Sequence, residues 1–289
     1  MSSLRPRRSV LYMPAANERA LEKAKTIAAD AIIFDLEDAV APDAKEAARE
    51  NAVAAATSGD YGRRELTIRC NGLDTPWGAA DIAAAAGSSA AAVVIPKVTS
   101  TDHLNEVDAQ LGAAGAPDDM TIWAMVETPT AIFDIRSIAA HPRVNVLVMG
   151  TNDLIKELRA EQHAHRGPLL PHLARALLGA READKVILDG VYNDVKNPEG
   201  FLAEAQQGRA FGFDGKTLIH PTQVEPANDV WAPSEADIDY SQRVIEAFDE
   251  AVSEGLGVIT VDGRMIENLH VDNARRVLAT VAAIAELNG

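Results

Sequence analysis

The chain has 289 residues, 43 of them Asp or Glu and 27 Lys or Arg, for a net charge of −16. That acidity repels the phosphates of nucleic acid and of anionic membranes, so neither is expected as a partner. With 47% hydrophobic and 24% charged residues the chain is not disordered. Its single cysteine, Cys70, excludes an intramolecular disulfide and a Cys-built zinc site, and fits a reducing compartment. The longest uncharged run, 82–96, is too short and too rich in Ala, Ser and Gly to span a bilayer. The N-terminus is basic but has no apolar stretch of the kind a signal peptide needs. A soluble cytoplasmic protein is expected. Charge is unevenly spread, with +4 in the first 25 residues and −20 in the rest. The basic end is either a solvated helix face and tail or a landing site for a small polyanion.

In chain order, short β-branched runs alternate with alanine-rich helical stretches. Strands are expected at 9–14, 31–38, 65–71, 91–98, 121–127, 145–150, 185–191 and 215–220, with helices such as 18–29, 43–57, 102–114 and 198–212 between them. Most strand centres (Ala-Ile-Ile-Phe, Val-Val-Ile, Val-Leu-Val-Met) are continuous apolar runs, as in parallel strands buried on both faces. Eight such units in about 230 residues is the arithmetic of an α/β fold of the (β/α)8 TIM-barrel type. A doubly wound sheet competes, but no G-x-G-x-x-G follows the first strand. After Trp231 the pattern changes to an amphipathic helix over 235–255, a hairpin over 258–267 around Asp262-Gly263, and a final helix over 273–287. The expected division is a barrel, 1–232, and a C-terminal helix–hairpin–helix lid, 233–289. The lid is too small for an independent core and should pack on the barrel mouth or on a neighbouring subunit.

The C-terminal ends of barrel strands form one functional face. In strand order those ends carry Asp35, Glu37 and Asp38, then Arg69, Lys97, Glu127, Asp153, Asp189 and His220. A whole rim of ionisable groups describes a polar active-site mouth. Glu127 and Asp153 are hard oxygen ligands with no Cys or His beside them, which suits Mg2+ holding waters and a chelating substrate. The competing reading is that each carboxylate caps a helix, since Thr128-Pro129 and Thr151-Asn152 are helix-start signals. Other features are set aside. Glu161-Gln-His163-Ala-His165 sits in a polar loop and reads as solvated. Gly215-Lys216-Thr217 resembles the end of a phosphate loop, but the Gly needed at 210 is Ala210 and a strand follows rather than a helix. Cys70 reads as a buried inert thiol, and no G-x-S-x-G elbow exists.

The motifs carry a resemblance. Arg8-Ser-Val-Leu-Tyr-Met-Pro14, Phe34-Asp-Leu-Glu-Asp-Ala-Val40, Ile68-Arg-Cys-Asn-Gly72 and Asp74-Thr-Pro-Trp77 resemble the citrate lyase β-subunit-like (HpcH/HpaI aldolase) family. So do Ile95-Pro-Lys-Val98, Val126-Glu-Thr128, Gly150-Thr-Asn-Asp-Leu154, Gly215-Lys-Thr-Leu-Ile-His-Pro-Thr-Gln223 and Val261-Asp-Gly263. The resemblance covers essentially the whole chain, in order. Within the family, Gly150-Thr-Asn-Asp-Leu-Ile-Lys-Glu-Leu158, Asp189-Gly-Val-Tyr-Asn193 and Glu267-Asn-Leu-His270 are most similar to the (3S)-malyl-CoA thioesterase branch. One departure stands out: where the family has Pro-Gly-[Ser/Thr], this chain has Pro14-Ala15-Ala16-Asn17.

The resemblance implies a trimer or hexamer in which the lid covers a neighbour's barrel. It implies Mg2+ on Glu127 and Asp153, with Mn2+ as an alternative ion. Arg69 would contact the reacting acyl group and Asp262 would be the acid/base residue of the lid. Coenzyme A would run past Tyr12 and Lys23 to His220 and Pro221. The implied activity is hydrolysis of (3S)-malyl-CoA to malate and free coenzyme A. The alternatives are carbon–carbon cleavage of malyl-, β-methylmalyl- or citramalyl-CoA, and a non-catalytic acyl-CoA-binding subunit.

Overall fold

The computed structural model describes residues 5–253 and 257–289. It divides into two compact units, Arg7–Val230 and Trp231–Gly289, the latter grouped with Arg5 and Pro6. The first is a closed barrel of eight parallel strands in chain order. They are β1 (Ser9–Pro14), β2 (Ala31–Asp35), β3 (Glu65–Arg69), β4 (Ala92–Ile95), β5 (Thr121–Val126), β6 (Val144–Met149), β7 (Val186–Asp189) and β8 (Gly215–Leu218). The helices connecting them begin with α1 (Glu18–Ala24), α2 (Lys45–Thr57), α3 (Gly78–Ala86) and α4 (Thr101–Ala113). They continue as α5 (Pro129–Phe133), α6 (Ile135–Ala140), α7 (Thr151–Leu158), α8 (Leu170–Glu182) and α9 (Pro198–Phe211), and α10 (Val224–Trp231) follows the last strand.

Alternation along each strand explains the continuous apolar runs. One set of side chains, including Val10, Ile33, Val94, Trp123, Val148 and Leu188, fills the barrel interior. The other set, including Leu11, Ile32, Phe34, Ile68, Val93 and Leu147, points the opposite way and is equally buried. Each contributes roughly 1.5–3 kcal/mol by leaving water.

The basic N-terminus is largely used up in the fold. Arg7 donates to both oxygens of Glu65, at 2.6 and 2.8 Å, and its guanidinium lies 5.5 Å from the Trp123 ring centre. Arg8 forms a matching pair with Asp30, at 2.9 and 2.8 Å. Glu65 opens β3 and Asp30 precedes β2, so these pairs close the N-terminal end of the barrel. Neither arginine is a solvated tail or a free polyanion site. Asn17 accepts the Ala20 N–H at 3.1 Å and so caps α1.

The second unit is a helix–hairpin–helix: α11 (Glu235–Ser253), β9 (Ile259–Val261), β10 (Arg264–Ile266) and α12 (Asn268–Asn288). Val244, Phe248, Val261, Ile266, Val271 and Ala274 make its small core. The final helix starts five residues before the expected 273. Its cap is a reciprocal Glu267/His270 pair, in which His270 Nδ1 accepts the Glu267 N–H, and this lacks the usual Ser/Thr…Glu signature. Residues 254 and 255 of the expected first helix lie outside the described residues. Among the described residues no helix is long and apolar enough to cross a membrane.

Candidate active site

A cavity of about 360 Å3 opens at the C-terminal ends of the barrel strands, lined by Tyr12, Arg69, Met125, Glu127, Gly150 and Asp153 among others. Four of the expected site residues therefore meet in one place. Arg69 ends β3 opposite Asp35, which ends β2. Its Nε and Nη2 donate to the two Asp35 oxygens at 2.7 and 2.6 Å, its Nη1 lies 2.8 Å from Glu37 Oε2, and its guanidinium stacks 4.9 Å from the Tyr12 ring centre. Burial works against this charge, but Asp35, with Tyr12 and Glu37, outweighs it and holds Arg69 well above its ordinary value. For Glu37 the balance falls the other way. Burial pushes its carboxyl up to about 7 even though Arg69 opposes the shift.

Glu127 follows β5 directly and is only 3% exposed. Its Oε1 accepts the Lys97 N–H at 2.7 Å. Lys97 turns that N–H toward the carboxylate from a left-handed backbone, φ 48°, a costly conformation for a lysine. Burial raises Glu127 to about 7; the Lys97 N–H opposes this, while Glu37 and Asp153 add to it. On the neighbouring strand β6 ends beside Glu127, and Gly150 precedes α7. A Cβ on Gly150 would stand 2.3 Å from Glu127 Oε2, so only glycine leaves that oxygen its space.

The capping alternative does not describe these two carboxylates. Thr128 caps α5 through the Ala131 N–H, at 3.1 Å, and the N-cap of α7 is Gly150. Among the described residues, the Asp153 side chain makes no hydrogen bond or ion pair and no donor reaches Glu127 Oε2. Nor do three or more His, Cys, Asp or Glu side chains gather as a metal cluster. Two carboxylates with unused oxygens, one of them strained by burial, fit a hard dication that keeps waters and shares its remaining positions with a substrate.

The other expected residues lie elsewhere. Lys23 is exposed on α1. His220 is exposed, with Nδ1 2.8 Å from Thr222 Oγ1, and Pro221 opens a short 3-10 turn behind it. None of the three lines the cavity. Asp262 belongs to the second unit, at φ 50° between β9 and β10, where Arg243 Nη1 donates to both its oxygens at 2.8 and 2.7 Å. Asp189 is not on the mouth: it is fully buried and paired with Arg166 and Lys216. Position at the end of a strand does not say which way a side chain faces, and the alternation in β7 sends Leu188 into the barrel and Asp189 out. His163 and His165 lie in an exposed loop, and burial pushes the Cys70 thiol well up. The hold of Glu37 on Arg69 and of the Lys97 amide on Glu127 had no assigned role in the sequence. The Gly after β6 was the one signal that could have pointed to crowding there.

Three comparisons bear on this site. The model of the HpcH/HpaI aldolase/citrate lyase family matches residues 8–221. Over 280 residues the chain is 51% identical to the (3S)-malyl-CoA thioesterase of Cereibacter sphaeroides, covering 97% of this chain and 96% of that relative. Over 291 residues it is 34% identical to citrate lyase subunit beta of Escherichia coli, covering 99% and 95%. The crystal structure of CitE from Mycobacterium tuberculosis in complex with magnesium, acetoacetate and coenzyme A matches with a TM-score of 0.78 at 27% identity, covering 95% of this chain and 97% of that one.

Proposed function

Because this chain belongs to the HpcH/HpaI aldolase/citrate lyase family, we propose that it is an Mg2+-dependent enzyme hydrolysing (3S)-malyl-CoA to malate and free coenzyme A. The observation that carries the reading is that two carboxylates with unused oxygens, Glu127 and Asp153, line the same cavity as Arg69. Glu127 and Asp153 would hold the ion, which when bound supplies the positive charge that orients the malyl carboxylate and hydroxyl. Arg69 would stabilise the thioester oxygen as negative charge develops on it. Asp35 and Glu37 grip the guanidinium from two sides, so it meets that charge without first reorganising. Asp262, supplied by the C-terminal unit of a neighbouring copy in a trimer or hexamer, would take the proton of the attacking water. The carbon–sulfur bond then breaks and the leaving sulfur takes up the proton held on Asp262, so that coenzyme A leaves as the thiol. Tyr12 lies against Arg69 for the acyl end, and the exposed Lys23 and His220, with the half-buried Pro221, are available to the extended coenzyme A chain. Mn2+ would serve the same oxygen ligands.

The likeness to citrate lyase subunit beta favours a second reading, a carbon–carbon lyase. There Arg69 would hold the enolate of the acyl-CoA and Asp262 would protonate its carbon. A binding-only subunit is the third reading. Purified protein given (3S)-malyl-CoA and Mg2+ separates them. Free thiol without glyoxylate is the expected result; glyoxylate establishes the lyase, and neither product establishes the binding subunit.

A further inference from the structure

The strand positions that face away from the barrel interior are mostly apolar, and two of them carry charge. Asp189 and Lys216 stand opposite one another in the β7–β8 register, and both are fully buried. Lys216 Nζ reaches Asp189 Oδ2 at 3.3 Å, Glu204 Oε1 on α9 at 2.8 Å, and the carbonyl of Gly190. Arg166 Nη1 donates to both Asp189 oxygens at 2.7 and 2.8 Å. Arg166 is 5% exposed and its Nη2 has no partner among the described residues. Two cations and two anions buried in this way are no better for stability than well-packed apolar side chains. What they do supply is direction. The Gly190 N–H donates to Asp189 Oδ1 at 2.9 Å while the Gly190 carbonyl accepts from Lys216, so both polar groups of that residue are fixed.

Gly190 in turn lies flush against the start of α7. A Cβ added to it would come 2.3 Å from Thr151 Oγ1 and 2.6 Å from Thr151 Cγ2. Thr151 is the first residue of α7, and Asp153 stands two residues on in the same turn. A shift of the Asp189–Gly190 strand end therefore moves the first turn of α7, and Asp153 with it. We infer that the end of β7 at Asp189–Gly190, anchored by Lys216 and Arg166, positions Asp153 for the divalent cation. This rests on the reading of Asp153 as a metal ligand. It also gives a task to the Gly215-Lys216-Thr217 motif, whose lysine serves as a buried strut.

The test is Mg2+ affinity measured by calorimetry, with no substrate present, on Lys216→Met, Gly190→Ala and Arg8→Met. Arg8→Met breaks a buried ion pair at the opposite end of the barrel and so reports what destabilisation alone does to binding. Loss of a residue that orients a metal ligand typically weakens binding about 10-fold or more, so Lys216→Met and Gly190→Ala should do so while Arg8→Met stays within about twofold of wild type. Gly190 does not have a left-handed backbone, so its alanine variant should fold and decides the matter if Lys216→Met does not. Wild-type affinity in Gly190→Ala, or in a folded Lys216→Met, overturns the inference. If the wild-type protein binds no Mg2+, the metal reading falls and the inference with it; if wild type binds and the variants match it, the inference alone falls.

Discussion

At the scale of single residues, the site sets Arg69, helped by Lys97 at 3.8 Å from Glu37, against more negative charge than the two can neutralise. Asp35 takes two of the Arg69 nitrogens and Glu37 contacts a third, while Glu127 and Asp153 lie in the same cavity. The cost shows at Glu37, which burial raises to about 7 despite its contact with Arg69. In the folded protein near pH 6 Glu37 therefore keeps a proton that the unfolded chain has released. Native protein binds more protons than unfolded protein between the ordinary carboxylate range and about 7, so this residue contributes stability at low pH. That contribution should fade as pH rises through the window. Melting temperatures in EDTA from pH 4.5 to 7.5 should show a steeper fall for wild type than for Glu37→Gln, which cannot titrate. Parallel curves would mean that Glu37 stays ionised throughout.

At the scale of elements, the eight strands and their order could be read from the sequence, because parallel strands covered on both faces leave uninterrupted apolar runs. The rim carboxylates could be read too, but not their orientation. Glu127 and Asp189 each follow an apolar run, yet one lines the cavity and the other is buried beside Lys216. Only strand alternation and register separate them. Likewise nothing in Pro96-Lys97 announces a left-handed lysine, since its cause is a carboxylate 30 residues away in the chain. The junction of β6 and α7 gives a prediction at this scale. Gly150→Ala would place a methyl group where Glu127 Oε2 now sits, so the carboxylate or the start of α7 must move. Mg2+ affinity should fall about 10-fold or more, as when a ligand's orientation is lost, with the fold retained by circular dichroism. Unchanged affinity would show that Glu127 does not need that space to bind metal.

At the scale of the whole molecule, the proposed chemistry would be divided between two compact units: the barrel carries Arg69, Glu127 and Asp153, and the C-terminal unit carries Asp262. The break in the alternating pattern after Trp231 is what led the sequence reading to expect a barrel over 1–232 and a lid over 233–289, whereas nothing in the sequence pointed to the pairing of Asp262 with Arg243. The second unit has only a small core, so the proposed assembly gives it a neighbouring barrel to cover. Asp262→Asn and Glu127→Gln should each be inactive alone. Co-expressed as hetero-oligomers, about one site in four should pair an intact barrel with an intact lid if the lid acts on the next subunit. Activity recovered in hetero-oligomers verified by mass supports that arrangement; none recovered means that Asp262 acts within its own chain or takes no part.

Hydrolysis itself is tested most directly by running the reaction in 18O-labelled water with Mg2+ and following the products by mass spectrometry. Attack of water on the thioester carbonyl predicts malate carrying one 18O in the newly formed carboxylate, released together with free coenzyme A and abolished by EDTA. Unlabelled malate, or glyoxylate and acetyl-CoA in its place, would contradict the account.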